Sequence, residues 1–177
     1  MNFIAMDFET ASAQRYSAVS MAVVVVRDNQ LVDEFYSLIN PQTPFDARNT
    51  AIHGIHETDV INAPLFPDVW AQIKQFYTPE QLVIAHNAPF DNGVLRATLA
   101  HYGIAAPHYL SLDTVRTSRK LYPQLPNHKL NTVADALNIE LQHHHNALDD
   151  TVAAARILVT QATEFGVDPL KNLVKII

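Results

Sequence analysis

The stretch Phe3-Ile4-Ala5-Met6-Asp7-Phe8-Glu9-Thr10 decides the fold of this chain. It is an apolar run, typical of a buried strand, that ends in two carboxylates one residue apart. Strand side chains alternate between faces, so Asp7 and Glu9 point to one face while Phe8 points to the other. Like charges on one face of a buried strand repel and are costly to desolvate, so a compensating cation is expected. The alternative interpretation is a frayed strand end with two solvated carboxylates.

The composition indicates one folded domain, and we expect it to extend over residues 1–177. Apolar residues make up 48% of the chain and charged residues 17%, which argues against disorder. No apolar run reaches the roughly 18 to 20 residues that span a bilayer, and a signal-peptide pattern is missing, so we expect a cytoplasmic protein without a membrane partner. Because the chain has no cysteine, any metal must take oxygen or imidazole ligands.

The net charge of −6, counted with neutral histidines, is unusual for a protein that binds a polyanion. The basic residues are unevenly distributed, however. Four of the twelve lie close together, and these are Arg116, Arg119, Lys120 and Lys129. A solvated helix face is the simpler interpretation of this cluster. If nucleic acid is the ligand, so few basic groups suit a short strand end better than a long duplex.

The order of the predicted elements favours an α/β fold. After the first strand, two β-rich runs at 19–26 and 31–39 are separated by a polar tetrapeptide, so they should pair in antiparallel orientation. A loop follows, with a short turn at 52–55. The pattern then predicts short strands over 82–85 and 109–112 and helices over 67–77, 89–102, 114–122, 130–137 and 147–165. We therefore predict a mixed five-stranded sheet with helices on both faces.

A further acid, Asp91, lies in the first turn of the helix that follows the buried strand 82–85. Pro89 is well suited to that first turn. The carboxylate should therefore project at the carboxyl edge of the sheet, where open α/β sheets place their ligands. Taken alone, Asp91 is also consistent with a simple partner of the helix dipole.

Three histidines at 143–145 precede the longest predicted helix. An imidazole and a carboxylate recur five positions apart in two registers, His144 with Asp149 or His145 with Asp150. Helical periodicity places Asp149 on the solvent side and Asp150 at the edge of the apolar face, so we favour the second register. A polar loop is the alternative for the triplet. A zinc site is less favoured, because adjacent side chains diverge.

Four acids thus lie at the ends of one strand and two helices, and these are Asp7, Glu9, Asp91 and Asp150. Hard oxygen ligands suit Mg²⁺ or Mn²⁺, and two such ions about 4 Å apart clamp the attacking and leaving oxygens of phosphoryl transfer. An imidazole with a pKa of about 6.5 can take a proton from a bound water near neutral pH. The sequence therefore predicts a site for two Mg²⁺ or Mn²⁺ ions, with His145 as the base.

In order and spacing, these residues resemble the three motifs of the DEDDh-type 3′-to-5′ exonucleases. This family includes the proofreading subunit of bacterial replicative DNA polymerase, ribonuclease T and oligoribonuclease. The matching segments are Asp7-Phe8-Glu9-Thr10, His86-Asn87-Ala88-Pro89-Phe90-Asp91, and His145 with four residues before Asp150. Residues 52–55, 112–114 and 128–131 resemble further landmarks of the family, so the likeness extends from about residue 3 to residue 160.

The resemblance implies a ribonuclease H-like fold and stepwise release of nucleoside 5′-monophosphates from the 3′ end of single-stranded DNA or RNA. It implies that Asp7, Glu9, Asp91 and Asp150 hold the metals and that His145 is the base. The implied substrate contacts are Phe8, Thr10, His53, Asn87 and Phe90. Thr10 would lie near the terminal 3′-hydroxyl, and His53 and Phe90 would border the last nucleotide. Phe90 as ordinary helix core is the alternative.

Two features depart from the family pattern. In the proofreading enzymes the first motif is usually followed by Thr-Thr-Gly, whereas Thr10 here precedes Ala11-Ser12. The segment 170–177 looks like an amphipathic tail without a clamp-binding motif, so a polymerase-associated complex is not supported by the sequence. The sequence does not determine the oligomeric state, so a homodimer is not supported by it either. Two other functions stay open at this point, an idle nucleic-acid-binding module of the same fold and a phosphoesterase acting on small nucleotides.

Overall fold

Six strands form one mixed sheet in the computed structural model, which describes residues 1–141 and 145–177. They are β1 (Phe3–Thr10), β2 (Ala18–Arg27), β3 (Gln30–Leu38), β4 (Leu82–Ala85), β5 (Leu110–Asp113) and β6 (Lys175–Ile176). The strand order across the sheet is β3-β2-β1-β4-β5-β6. β1 runs antiparallel to β2 and parallel to β4, and β4 runs parallel to β5. The predicted mixed α/β sheet is confirmed, with β6 as an added edge strand.

Eight α-helices lie within the described part of the chain. They are α1 (Ala47–His53), α2 (Glu57–Val60), α3 (Phe66–Ile73), α4 (Ala88–His101), α5 (Thr114–Leu121), α6 (Leu130–Ala136), α7 (Ala147–Phe165) and α8 (Asp168–Lys171). A 3-10 turn, Lys74–Phe76, follows α3. None of the helices so described is long and apolar enough to cross a membrane.

β1 lies inside the sheet and divides the core in two. Ile4, Met6 and Phe8 face a cluster built with α3 and α4. Phe3 and Ala5 face a second cluster built with α6 and α7. Since strand side chains alternate, Asp7 and Glu9 continue the face that carries α7.

The hairpin between β2 and β3 forms as the sequence predicts. Its loop consists of Asp28 and Asn29, and both have positive φ, 49° and 65°. A two-residue loop of this kind matches the right-handed twist of the flanking strands. The antiparallel pairing then extends from Arg27↔Gln30 to Ser20↔Leu38.

Helix α1 occupies a region where the sequence analysis expected a loop and a turn, and that expectation was wrong. The Asp46 side chain accepts a hydrogen bond from the Arg48 N–H at 3.0 Å and caps the first turn. Gly54, with φ of 73°, ends the helix in the left-handed conformation. Both capping signals are visible in the sequence, but the helix between them buries no side chain and so lacks a strong apolar pattern.

The segment 170–177, expected to be only an amphipathic tail, includes the end of α8 and strand β6. β6 pairs with β5 through Leu110↔Ile176 and Ser111↔Lys175. A strand of two exposed residues at a sheet edge carries almost no periodicity. The sequence pattern therefore could not distinguish it from a tail.

Candidate active site

The structure brings together Asp7, Glu9, Asp91, Asp150 and His145 around one cavity of about 520 Å³. The acids come from β1, from the first turn of α4 and from the first turn of α7. The cavity opens where β1 and β4 end, at the carboxyl edge of the parallel part of the sheet. Residues distant in sequence thus share one site because the sheet topology places their elements side by side.

A register shift marks the end of β1. Glu9 pairs with Ser20, whereas the next residue, Thr10, pairs with Ala18, so β2 contributes one extra residue at this point. Bulges of this kind bend a strand and often lie beside active sites. The shift lies at the point where β1 presents Glu9 and Thr10 to the cavity.

Asp91 is the most deeply buried of the four acids. Its side chain is 1% exposed, and its Oδ1 accepts a hydrogen bond from the Phe8 N–H at 3.1 Å. Phe8 lies between Asp7 and Glu9, so this bond ties α4 directly to the acidic end of β1. The alternative role, a simple partner of the helix dipole, stays compatible with the position of Asp91 in the first turn of α4 but does not require this burial.

Asp150 is 7% exposed, and its Oδ2 accepts a hydrogen bond from the backbone N–H of His145 at 3.1 Å. The Asn146 side chain caps α7 by accepting from the N–H groups of Leu148 and Asp149. Asp149 lines a different surface groove with Arg156. The structure thus places the His145 and Asp150 register at the cavity, while His144 of the alternative register lies outside the described residues.

The ligand atoms of Glu9, His145 and Asp150 all lie within 4.8 Å of one another. Burial raises the pKa of Glu9 to about 8, and the Asp150 carboxylate adds to the rise. Burial also raises the pKa of Asp7 and of Asp91 well above the usual carboxyl range, with neighbouring carboxylates adding to it. A cluster with these properties takes up protons or cations at neutral pH.

The donor set suits a hard divalent cation. Carboxylate oxygens are the ligands that Mg²⁺ and Mn²⁺ prefer, and they come from four of the five groups at the cavity. Arg15 is the one arginine or lysine that lines the cavity within residues 1–141 and 145–177, and its Nη1 donates to the Phe90 carbonyl at 2.9 Å. A protein cation therefore does not take the place that a metal would fill.

Thr10 is held by two side chains of α1. Its carbonyl accepts hydrogen bonds from Asn49 Nδ2 at 2.9 Å and from His53 Nε2 at 3.1 Å. His53 Nδ1 in turn accepts from the Ile55 N–H at 3.0 Å, so the ring is neutral with its proton on Nε2. Burial lowers the pKa of His53, which favours this neutral form. Both ring nitrogens thus form hydrogen bonds within the protein, so His53 borders the cavity with the carbon atoms of its ring.

Phe90 and Phe8 occupy different environments. The Phe90 ring is half-buried, lines the cavity and lies 5.4 Å from the Arg15 guanidinium carbon. The Phe8 ring is 2% exposed and packs against Phe66, with ring centroids 6.4 Å apart. Phe8 therefore contacts the acids through its backbone N–H, which donates to Asp91, and its ring lies in the core.

Asn87, the remaining predicted substrate contact, lines the cavity from the loop between β4 and α4. Its φ is 81°, and its N–H donates to Asp113 Oδ1 at 3.0 Å. The same oxygen accepts from the Val115 N–H at 3.0 Å and caps α5. One carboxylate thus fastens the start of α5 to the loop that carries Asn87.

Comparison with known proteins identifies the family. Residues 4–158 match the model of the RNase_T family, described as Exonuclease. The chain belongs to this exonuclease family. A DNA polymerase III PolC-type from Caldanaerobacter subterraneus subsp. tengcongensis is 32% identical over 159 residues, and one from Bacillus subtilis is 31% identical over 160 residues. Each match covers 89% of this chain but only 11% of the relative, so the exonuclease chain spans about a tenth of these relatives' length.

Solved structures share the fold. Exonuclease X in complex with 5′ overhanging duplex DNA superposes with a TM-score of 0.79 at 25% identity, over 97% of this chain and 98% of that chain. E. coli exonuclease I in complex with a dA16 oligonucleotide gives a TM-score of 0.80 at 17% identity, over 93% of this chain and 41% of that chain. The resemblance to the DEDDh-type exonucleases and the ribonuclease H-like fold, both predicted from the sequence, are confirmed.

The absence of the family glycine after Thr10 does not strain the backbone. Ser12 stands at the glycine position without a positive φ. The N–H of the preceding Ala11 donates to the Ser17 carbonyl at 2.8 Å, and the Ala11 carbonyl accepts from the Asp46 N–H at 2.7 Å. The loop that follows β1 in this exonuclease is therefore closed by its own backbone bonds and by the start of α1.

Sequence reasoning missed Asn49 and Arg15, although both line the cavity. Asn49 lies one helical turn before His53 on α1, so a correct prediction of that helix would have placed both on one face. Arg15 had no such signal. Its contact with Phe90 joins residues 75 positions apart and exists only in the folded chain.

Proposed function

We propose that this chain is a metal-dependent 3′-to-5′ exonuclease that releases nucleoside 5′-monophosphates from the ends of single-stranded DNA or RNA. The proposal includes a single exonuclease domain over residues 1–177. The observation that carries it is the convergence of four buried or half-buried carboxylates and one histidine at a single cavity. The family membership supports it, as do the DNA complexes of exonuclease X and exonuclease I.

In this proposal Asp7, Glu9, Asp91 and Asp150 hold two Mg²⁺ or Mn²⁺ ions. Ions at such a site stabilise charge on the phosphate and lower the pKa of a bound water. The buried Asp91 keeps its position because the Phe8 N–H holds it. His145 is exposed at the cavity and close to Glu9 and Asp150, where its imidazole can accept the proton of the attacking water.

The terminal nucleotide would occupy the part of the cavity walled by Thr10, His53 and Phe90. Thr10 is fixed by Asn49 and His53, so its hydroxyl and backbone are pre-positioned beside the acids. The Phe90 ring offers a stacking surface that every base can use, and such stacking contributes roughly 1 to 3 kcal/mol. Recognition of this kind is tolerant of sequence, as expected of an enzyme that degrades ends.

A test uses the neighbouring pair Asp150 and Asp149. A 5′-labelled oligonucleotide is incubated with Mn²⁺ and wild-type protein, Asp150→Asn or Asp149→Asn, with folding checked by circular dichroism. We expect a ladder of shortened products from wild type and from Asp149→Asn, whose side chain lies in another groove. Asp150→Asn should give almost none. A folded wild-type protein that produces no ladder would contradict the proposed function.

The net charge of −6 favours one second candidate, a phosphoesterase acting on small nucleotides. Such an enzyme should turn over a dinucleotide at least as fast as a long oligonucleotide. An exonuclease that binds several nucleotides of a strand should prefer the longer substrate. Comparing kcat/KM on the two substrates at equal ionic strength separates the candidates.

A further inference from the structure

A second groove of about 630 Å³ adjoins the cavity that holds the acids. Five residues line both spaces, and these are Asp7, His86, Asn87, His145 and Asp150. Thr10, His53 and Phe90 line only the first space, whereas Arg119, His128 and Lys129 line only the second. The acidic cluster therefore lies at the junction of two spaces, each able to hold part of a bound chain.

Two positively charged side chains line the second groove. Arg119 on α5 and Lys129 at the start of α6 are both exposed. Within residues 1–141 and 145–177 neither side chain forms a salt bridge or a hydrogen bond to another residue. Both side chains are therefore available to pair with an anionic ligand in this groove.

The wall that carries these cations is fixed by a chain of hydrogen bonds. His128 Nδ1 lies 3.0 Å from Ser118 Oγ on α5, and the His128 carbonyl lies 2.9 Å from His86 Nε2. His86 Nδ1 lies 2.8 Å from Thr114 Oγ1. Because His128 joins α5 to the loop that precedes α4, Arg119 and Lys129 project from a rigid support next to the acids.

The second groove offers little to a base. Among the described residues, no phenylalanine, tyrosine or tryptophan lines it, whereas Phe90 lines the first cavity. Bases are bound without sequence preference mainly by stacking on aromatic rings. A groove with cations and polar groups but no such ring is suited to the sugar-phosphate backbone.

We propose that this second groove binds the backbone of the nucleotides on the 5′ side of the scissile phosphodiester, with Arg119 and Lys129 each pairing with a phosphate. The proposal rests on the proposed function, because it assigns the released nucleotide to the first cavity. The strand then passes over the acids from the basic groove into the cavity walled by Phe90. Contacts in the groove are to phosphates, so affinity should increase with the length of the strand and should not depend on its base sequence.

The test compares two substrates that differ only in what would lie in the groove. One is an oligothymidylate of about twenty nucleotides, and the other is the p-nitrophenyl ester of thymidine 5′-monophosphate, in which nitrophenol replaces the upstream strand. The double variant Arg119→Gln/Lys129→Gln is matched by Arg156→Gln/Lys74→Gln, which removes two exposed cations that line neither space. Anisotropy of the labelled oligonucleotide in EDTA at several salt concentrations gives the binding constant without turnover.

We expect the groove variant to lose about tenfold in the ratio of kcat/KM on the oligonucleotide to kcat/KM on the ester, relative to the matched control. The slope of log Kd against log salt should decrease by about 1.4, as expected for two lost contacts to a single strand. A ratio and a slope equal to those of the control would overturn the groove assignment. If wild type cleaves neither substrate, the proposed function fails, and the salt slope alone then decides whether the groove binds the strand.

Discussion

The two sides of the active site are built in different ways. On the side of β1 and α4, Asp91 is 1% exposed and bonded to the Phe8 backbone, so its position follows from core packing. On the side of α7, His145 is exposed and has a φ of 71°, a left-handed conformation that is costly for a residue other than glycine. The position of Asp91 is therefore fixed by the fold, while the proposed base depends on a local backbone conformation and on the bond from its N–H to Asp150.

The largest effect should come from the buried side. Asp91→Asn keeps an acceptor for the Phe8 N–H but removes a carboxylate that we propose to hold a metal, and we expect kcat to fall by about a thousandfold or more. Thermal unfolding in EDTA should show a variant at least as stable as wild type, because a neutral amide replaces a carboxyl that burial makes costly to ionise. Residual activity above a tenth of wild type would show that Asp91 is not a ligand.

A substitution of His145, on the exposed side, should lower kcat less than the substitution of Asp91. His145→Gln removes the proposed base, and we expect a loss of about a hundredfold in kcat. Calorimetric titration should show Mn²⁺ affinity reduced far less than in Asp91→Asn. An equal loss of Mn²⁺ affinity in both variants would instead make His145 a ligand, a role that its proximity to Glu9 and Asp150 also permits.

The raised pKa of Glu9 on β1 also predicts how stability depends on pH in the absence of metal. The pKa of Glu9 is raised from 4.5 to about 8, so the folded state binds a proton that the unfolded state has already lost between these values. Stability in EDTA should therefore fall as pH rises from about 5 to about 8, by a few kcal/mol at most. Glu9→Gln should flatten this part of the curve in chemical denaturation. Saturating Mn²⁺ should restore the stability of wild type at pH 8, and an unchanged slope in the variant would reject Glu9 as the source.

The smallest effect should come from the wall beside Phe90. Arg15→Ala removes a hydrogen bond to the Phe90 carbonyl and a cation-π contact with its ring. We expect KM for an oligonucleotide to rise about three- to fivefold with kcat nearly unchanged, since the contact contributes on the order of 0.5 to 1 kcal/mol. Arg156→Ala, on the exposed side of α7, is the control and should leave KM unaltered. A larger fall in kcat than rise in KM would place Arg15 closer to the chemistry than we propose.

The parts of the molecule that could be predicted from the sequence are those that bury apolar residues. The strand that carries Asp7 begins as a continuous apolar run because both of its faces are buried, and the helix that begins at Ala147 has strong periodicity because it buries one face; both were predicted. The register of His145 and Asp150 followed from the same periodicity. Helix α1 was missed because no residue in it is buried, and Asn49 was missed with it. The pairing of Arg15 with Phe90 depends on tertiary contact alone, for which a single sequence carries no signal.

The central position of β1 has a consequence for how the enzyme matures. Both faces of this strand are covered, so a slip of one residue in its pairing with β2 would turn the carboxylates into the α3 and α4 core and bring phenylalanine to the cavity. Misaligned molecules would be unable to collect the donor set at all. Hydrolysis by this chain would therefore report on correct strand alignment, and refolding followed by recovered turnover would measure when that alignment is reached.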